Sequence, residues 1–206
     1  MVKLFARLCV TVVVCALPVE GWALDPERVA HQHIYDQWLM SDGLYIRAKA
    51  VVAQVLLERA WSETLETQSP VKPWRWADTW PVARIEAPRL GKSAIVLNSV
   101  SGQALAFGPG LMEGGPRPGE PGLAIVSAHR DTHFRFLKDI AIGDEIVVTV
   151  DDGAEMRFAI QETGIVEAGN SGLYQHGDAA QLALVTCWPF DAKMRGAKRF
   201  VALAER

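Results

Sequence analysis

Between Val82 and the carboxyl end, apolar residues come in short runs, many alternating with polar ones, and Gly, Pro or Asp interrupts them every few positions. Alternation of that kind is the mark of a half-buried β-strand. The runs predict strands over Ala83–Glu86, Ala94–Leu97, Leu123–Ala128, Glu145–Val150, Arg157–Gln161, Ile165–Glu167, Leu182–Thr186 and Phe200–Ala204. No long helical pattern separates them. The spacing therefore points to a mainly β fold, a closed or nearly closed barrel from about Val82 to Arg206. The stretch Gly108–Gly122 holds six glycines and four prolines, and is expected to form an irregular loop leading into the strand that ends at Ala128.

A different period holds upstream. Across Tyr45–Thr67, the residues Ile46, Ala50, Val51, Val55, Leu56, Leu57, Trp61 and Leu65 recur near helical spacing, with Arg47, Lys49, Glu58, Arg59 and Glu63 on the polar faces. An amphipathic helix usually packs its apolar stripe on its own domain; lying along a membrane is the rarer use. Ser69–Pro81 carries three prolines and three tryptophans and reads as an extended connector. Its indoles can pack on the domain surface or sit at a membrane interface. Helix and connector together occupy residues 44–81, and the barrel 82–206.

At the amino end, Lys3 and Arg7 precede the apolar run Leu8–Leu17, and the small-x-small triplet Gly21-Trp22-Ala23 follows. This is the layout of an export signal. The run is shorter than the ~20 residues of a spanning helix. Extending it over Val19 and Trp22–Leu24 gives a signal anchor interrupted by Pro18 and Glu20. Residues 1–24 are thus expected to be a signal peptide or signal anchor, and 25–43 a polar spacer.

Composition narrows the function classes. The 206 residues suffice for one domain plus a short accessory region. A net charge of -3 gives no reason to expect a nucleic-acid partner. No 20–50-residue repeat is present, which argues against a solenoid or propeller. Two of the three cysteines, Cys9 and Cys15, lie in the amino-terminal apolar run, so Cys187 is alone in the rest of the chain. A disulfide framework within the folded domain is excluded. A lone thiol in an exported protein is either a small buried hydrophobe or a reactive group.

Position favours reactivity. Leu182–Thr186 stops at Cys187, and Trp188-Pro189 follows, where proline cannot continue a central strand. Leu123–Ala128 stops in the same way at His129-Arg130-Asp131. Strand ends are where loops build sites on a rigid scaffold. A thiol of pKa ~8.5 is mostly protonated at neutral pH, so a nucleophilic cysteine requires a neighbouring base or cation. His31 and His33 lie in the spacer and no histidine follows Cys187, leaving His129, His133 or His176. A papain-like order is therefore excluded, and the Gln-Ala-Cys signature of caspases is absent. His129 is the best placed because it directly follows a strand. Arg199 opens the last strand, either as a solvated strand-end arginine or as a permanent, fork-shaped cation for an oxyanion or a peptide carbonyl. A metal reading of His129 and His133, four apart with Asp131 between, lacks the Glu of a zinc-protease motif and leaves Cys187 an odd third ligand. No metal and no cofactor is called for.

With these residues in view, a family resemblance is specific. LVTC (Leu184–Cys187) followed by WPFDA (Trp188–Ala192) resembles the sortase signature Thr-Leu-x-Thr-Cys. SAHRDTHFRFLKDI (Ser127–Ile140) and GDEIVVT (Gly143–Thr149) resemble the histidine segment of that family and its continuation, and the order His, Cys, Arg matches. The AKA…ERAW helix (Ala48–Trp61), WPVARIEAPRLG (Trp80–Gly91) and LAFGPG (Leu105–Gly110) resemble the GN sortases of Gram-negative bacteria. The resemblance implies an eight-stranded sortase barrel preceded by an amino-terminal helix, on the periplasmic side of the inner membrane. It implies cleavage of an LPxTG-like sorting signal on an exported partner, through an acyl-thioester on Cys187, and transfer to an amine acceptor. His129 would then serve as acid and base, Arg199 would stabilise the oxyanion, and Thr186 and the Gly108–Gly122 loop would line the groove. Ala128 stands where the family commonly has Gly, Leu111 where relatives often have His, and GAKRFV where the subgroup often has GPLRYV. Two other readings share the sequence: an exported cysteine peptidase with water as acceptor, and a non-catalytic, membrane-tethered barrel that buries Cys187.

Overall fold

The computed structural model describes residues 49–192, 194 and 196–206. The expected signal segment, the spacer and the first residues of the helix lie outside them. Helix α1 occupies 49–67 of the described residues. After the connector come β1 (Pro81–Ala87), β2 (Lys92–Leu97), the short helix α2 (Gly102–Leu105), β3 (Gly110–Leu111), β4 (Gly122–Ser127), β5 (Glu145–Val150), β6 (Glu155–Glu167), β7 (Ala180–Cys187) and β8 (Lys198–Glu205). The strands close into a barrel in the order β1-β2-β3-β4-β7-β8-β6-β5.

Alternation sorts each strand's residues between the barrel interior and its outside. In β1, Ala83, Ile85 and Ala87 point inward and meet Val96, Val126, Val148, Phe158, Leu184 and Ala202. The central strands are covered on both faces, so β4 reads as a continuous apolar run. Its inward residues Ala124 and Val126 belong to the barrel core; Leu123 and Ile125 join Ala183 and Val201 in an outer cluster. Phe134, Phe136 and Leu137, from the segment between β4 and β5, plug the interior.

Three expectations are corrected. The runs Arg157–Gln161 and Ile165–Glu167 form one 13-residue strand, β6. Its pairing with β8 shifts register between Ile160 and Glu162, and that bulge breaks the alternation that made two strands of it. Within the expected irregular loop, Gly110–Leu111 is a strand: it pairs parallel to β2 and antiparallel to β4 and so closes the barrel. Gly110 is required there, since a Cβ would overlap the Ser99 carbonyl. In α1, the buried face is Ala53, Leu57, Ala60, Trp61 and Thr64, whereas Val51 and Val55 are 64% and 63% exposed. Val51 and Val55 lie ~200° around the helix from Ala53 and Leu57 respectively.

The helix packs on the domain. Leu57 and Trp61 join Ile95, Leu97 and Ala104, and Gln54 Nε2 donates to the Phe107 carbonyl at 2.7 Å. Of the connector's indoles, Trp74 packs edge-on against Phe107 and Trp76 stays 78% exposed.

One buried charge ties the turn after β1 to the segment before β5. The Arg89 guanidinium donates to both carboxylate oxygens of Asp144 and to the Asp139 carbonyl, and Asp144 also accepts from the Ala141 N–H at 2.7 Å. The bond from Arg89 holds the Asp144 carboxyl below its usual value, helped by the Ala141 N–H, while burial opposes both. A carboxyl depressed in the folded state contributes stability that is present above the unfolded pKa of ~3.9 and is lost as pH falls through the lower folded value. Asp144→Asn is therefore expected to cost about 1–3 kcal/mol at pH 7. In thermal melts the gap to wild type should shrink as pH falls below ~4, where the unfolded carboxyl takes up a proton first and the native one at still lower pH; a pH-independent gap contradicts this role.

Candidate active site

Two strand pairings bring the three expected residues together. β4 runs parallel to β7 with Ser127 opposite Val185, and β7 runs antiparallel to β8 with Cys187 opposite Arg199. The parallel register continues past the end of β4, because the Ala128 N–H donates to the Val185 carbonyl at 3.1 Å. His129 consequently emerges beside Cys187. Neighbouring strands lie about 4.8 Å apart, so the three chain positions occupy adjacent places on one rim.

Thr186 has a sharper place than groove lining. It is 2% exposed, and its hydroxyl donates to the Ala128 carbonyl at 2.7 Å. The residue before the cysteine thus grips the residue before the histidine.

The histidine segment is a turn, not a helix, so the four-residue spacing of His129 and His133 does not place them on one helical face. The His129 carbonyl accepts from the N–H groups of Thr132 and Phe134, and the Phe134 ring anchors the turn in the core. His133 is half-buried. Its burial, and secondarily the nearby His129, push its imidazole below the usual value, which keeps it uncharged at neutral pH. Among the described residues no group of three or more His, Cys, Asp or Glu is arranged to hold a metal ion. His176 lies in the β6–β7 connection and does not line this site.

Cys187, His129, Arg199 and Thr186 line one open cleft of about 200 Å³. Cys187 is half-buried and His129 exposed, and no hydrogen bond joins them. Arg199 donates through one terminal nitrogen to the carbonyls of Gly196 and Lys198, both at 2.9 Å. Its remaining N–H groups have no partner among the described residues. Leu105, Ser127, Ala128, Val185 and Gly196 complete the lining. The sequence reading missed Leu105; the available signal was Ser101, whose hydroxyl caps α2 by accepting from the Ala104 N–H. A larger cleft of about 410 Å³ lies alongside, lined by Arg135, Lys138 and Asp191 among others. It contains neither Cys187 nor His129, so it is not where the thiol can act.

Known proteins share this fold. Residues 85–206 match the family profile described as the sortase domain. Sortase D of Bacillus subtilis (strain 168) is 27% identical over 124 residues, 59% of this chain and 62% of that protein. The match thus spans less than two thirds of that relative's length. A solved Clostridium perfringens sortase D5 transpeptidase superposes with a TM-score of 0.60 at 21% identity, covering 75% of this chain and 98% of its own. Sortase A from Corynebacterium diphtheriae gives 0.57 at 17% identity, over 85% and 95%. The catalytic domain of SrtD from B. anthracis gives 0.52 at 26% identity, over 61% and 86%.

The Thr186–Ala128 bond can be tested alone. Thr186→Val keeps the shape but strands a buried carbonyl, an expected loss of about 1–3 kcal/mol. That is a fall in Tm of about 2–4 °C per kcal/mol. Thr186→Ser retains a donor and should recover most of it in calorimetry. Equal melting of the two variants would remove the hydroxyl from this role.

Proposed function

The chain belongs to the sortase family, and from that premise we propose that it is a cysteine transpeptidase acting on an LPxTG-like sorting signal of an exported partner protein. The observation that carries the reading is the convergence of Cys187, His129 and Arg199 on one cleft through two independent strand registers. Sγ of Cys187 attacks the scissile carbonyl and a tetrahedral oxyanion forms. His129 takes the thiol proton and gives it to the departing amine as the acyl-thioester forms. It then removes a proton from the incoming amine, which attacks the thioester and frees Cys187. The unpartnered N–H groups of Arg199 are the donors for the oxyanion or the adjoining carbonyl.

The finer placement is a GN sortase, exported and held or released on the periplasmic side of the inner membrane. The basic and apolar amino-terminal pattern supports it. So does the packing of α1, through Leu57 and Trp61, against Ala104 of α2, the element that carries Leu105 into the cleft.

Mass spectrometry after incubation with LPxTG-like peptides should find an acyl adduct on Cys187, and none in Cys187→Ala. An added amine should convert the adduct to a ligated product; a product made only with water would make the protein a peptidase. Arg199→Lys, which cannot reproduce the planar fork, should slow adduct formation about 10²–10³-fold. A near-wild-type rate would take Arg199 out of the chemistry.

A further inference from the structure

Among the described residues, the segment between Cys187 and Arg199 is held chiefly by one residue of the histidine turn. Beyond the last rung, Cys187 opposite Arg199, the one further bond joining the strands among the described residues runs from the Trp188 N–H to the Lys198 carbonyl at 3.1 Å. From there the chain leaves the sheet. Arg130, the residue after His129, is 6% exposed, and its guanidinium faces that loop. One terminal nitrogen donates to the Pro189 carbonyl at 2.8 Å; the other donates to the carbonyls of Ala192 and Met194, the latter at 3.0 Å. Among the described residues its one ion-pair partner is Asp131, 3.6 Å away and 72% exposed. A buried cation is thus satisfied chiefly by three backbone carbonyls spread along one loop.

We propose that Arg130 is a positioning residue, which ties the β7–β8 loop to the histidine segment and so holds Cys187 and Arg199 in place against His129. Two features give the tether its reach. It starts at the chain neighbour of His129, so the loop and the imidazole cannot shift independently. It ends at Met194, two residues from Gly196, whose carbonyl holds one nitrogen of the Arg199 guanidinium. The other restraints on the loop are weaker or nearer its ends. Lys138 pairs with Asp191 at 3.0 Å, with both side chains exposed, and Trp188, Phe190 and Phe200 pack with ring centroids 5.2–6.2 Å apart. The guanidinium serves these three carbonyls from two separate nitrogens in a fixed fork, whereas a lysine ammonium presents all its donors from one atom. The catalytic consequence rests on the transpeptidase reading, whereas the tether itself does not.

The test compares wild type, Arg130→Lys, Arg130→Gln and Lys138→Ala well below their melting temperatures. Hydrogen exchange read by mass spectrometry needs no substrate. In Arg130→Lys, the amides after Pro189, in 190–197, should exchange at least tenfold faster, with β5 and β6 unchanged. With a sorting peptide, kcat per folded molecule should fall at least tenfold with KM within threefold, whereas Lys138→Ala stays within twofold of wild type. If Arg130→Gln does not fold, Arg130→Lys, which keeps the charge, decides alone. Wild-type exchange in 190–197, wild-type kcat, or faster exchange throughout the barrel would each overturn the proposal. Should wild type itself form no adduct, the transpeptidase reading falls, and the exchange result still decides the tether.

Discussion

The parallel pairing of β4 with β7 is the constraint on which the rest of the site depends. Side chains alternate across a strand, so a slip of one residue would turn Cys187 to the other face of the sheet. Two features hold this register: the ladder from Gly122 to Ser127 and the buried Thr186–Ala128 bond beyond it. Parallel neighbours cannot be joined by a tight turn. The long connection this imposes is used to carry the His129 turn, the aromatic plug and β5 and β6.

The antiparallel pairing of β7 with β8 adds the cation. Because Cys187 and Arg199 form the last rung, their chain positions are set by the same sheet that buries Leu182, Leu184, Ala202 and Ala204. On the other side of the cleft, α1 supports α2 through Leu57, Trp61 and Ala104, and α2 ends at Leu105. Reactive groups at strand ends, on a barrel filled by Phe134 and Phe158, exemplify a site built from loops on a rigid frame.

Much of this was legible in the sequence, for physical reasons that also mark the limit. A strand with clear alternation, such as β1, announces itself, and the two apolar runs end at residues, His129 and Cys187, that line one cleft. What escaped depends on contacts between distant segments. β3 is two residues whose pairing partners define it, and the β6 bulge scrambles the local period. Val51 and Val55 carry the right residue type on the wrong side of α1. Thr186 and Arg130 were visible as residues within motifs, but a hydroxyl's acceptor or a guanidinium's three carbonyls follow only from the folded register.

That register can be read directly by a cross-link. Adjacent strand positions bring Cα atoms within the ~4.4–6.8 Å that a disulfide spans. His129→Cys, oxidised while folded and mapped by non-reducing mass spectrometry, should give a bond between position 129 and Cys187 within one chain. Two free thiols at those positions, or pairing only with Cys9 or Cys15, would contradict the parallel β4–β7 register and the site built on it.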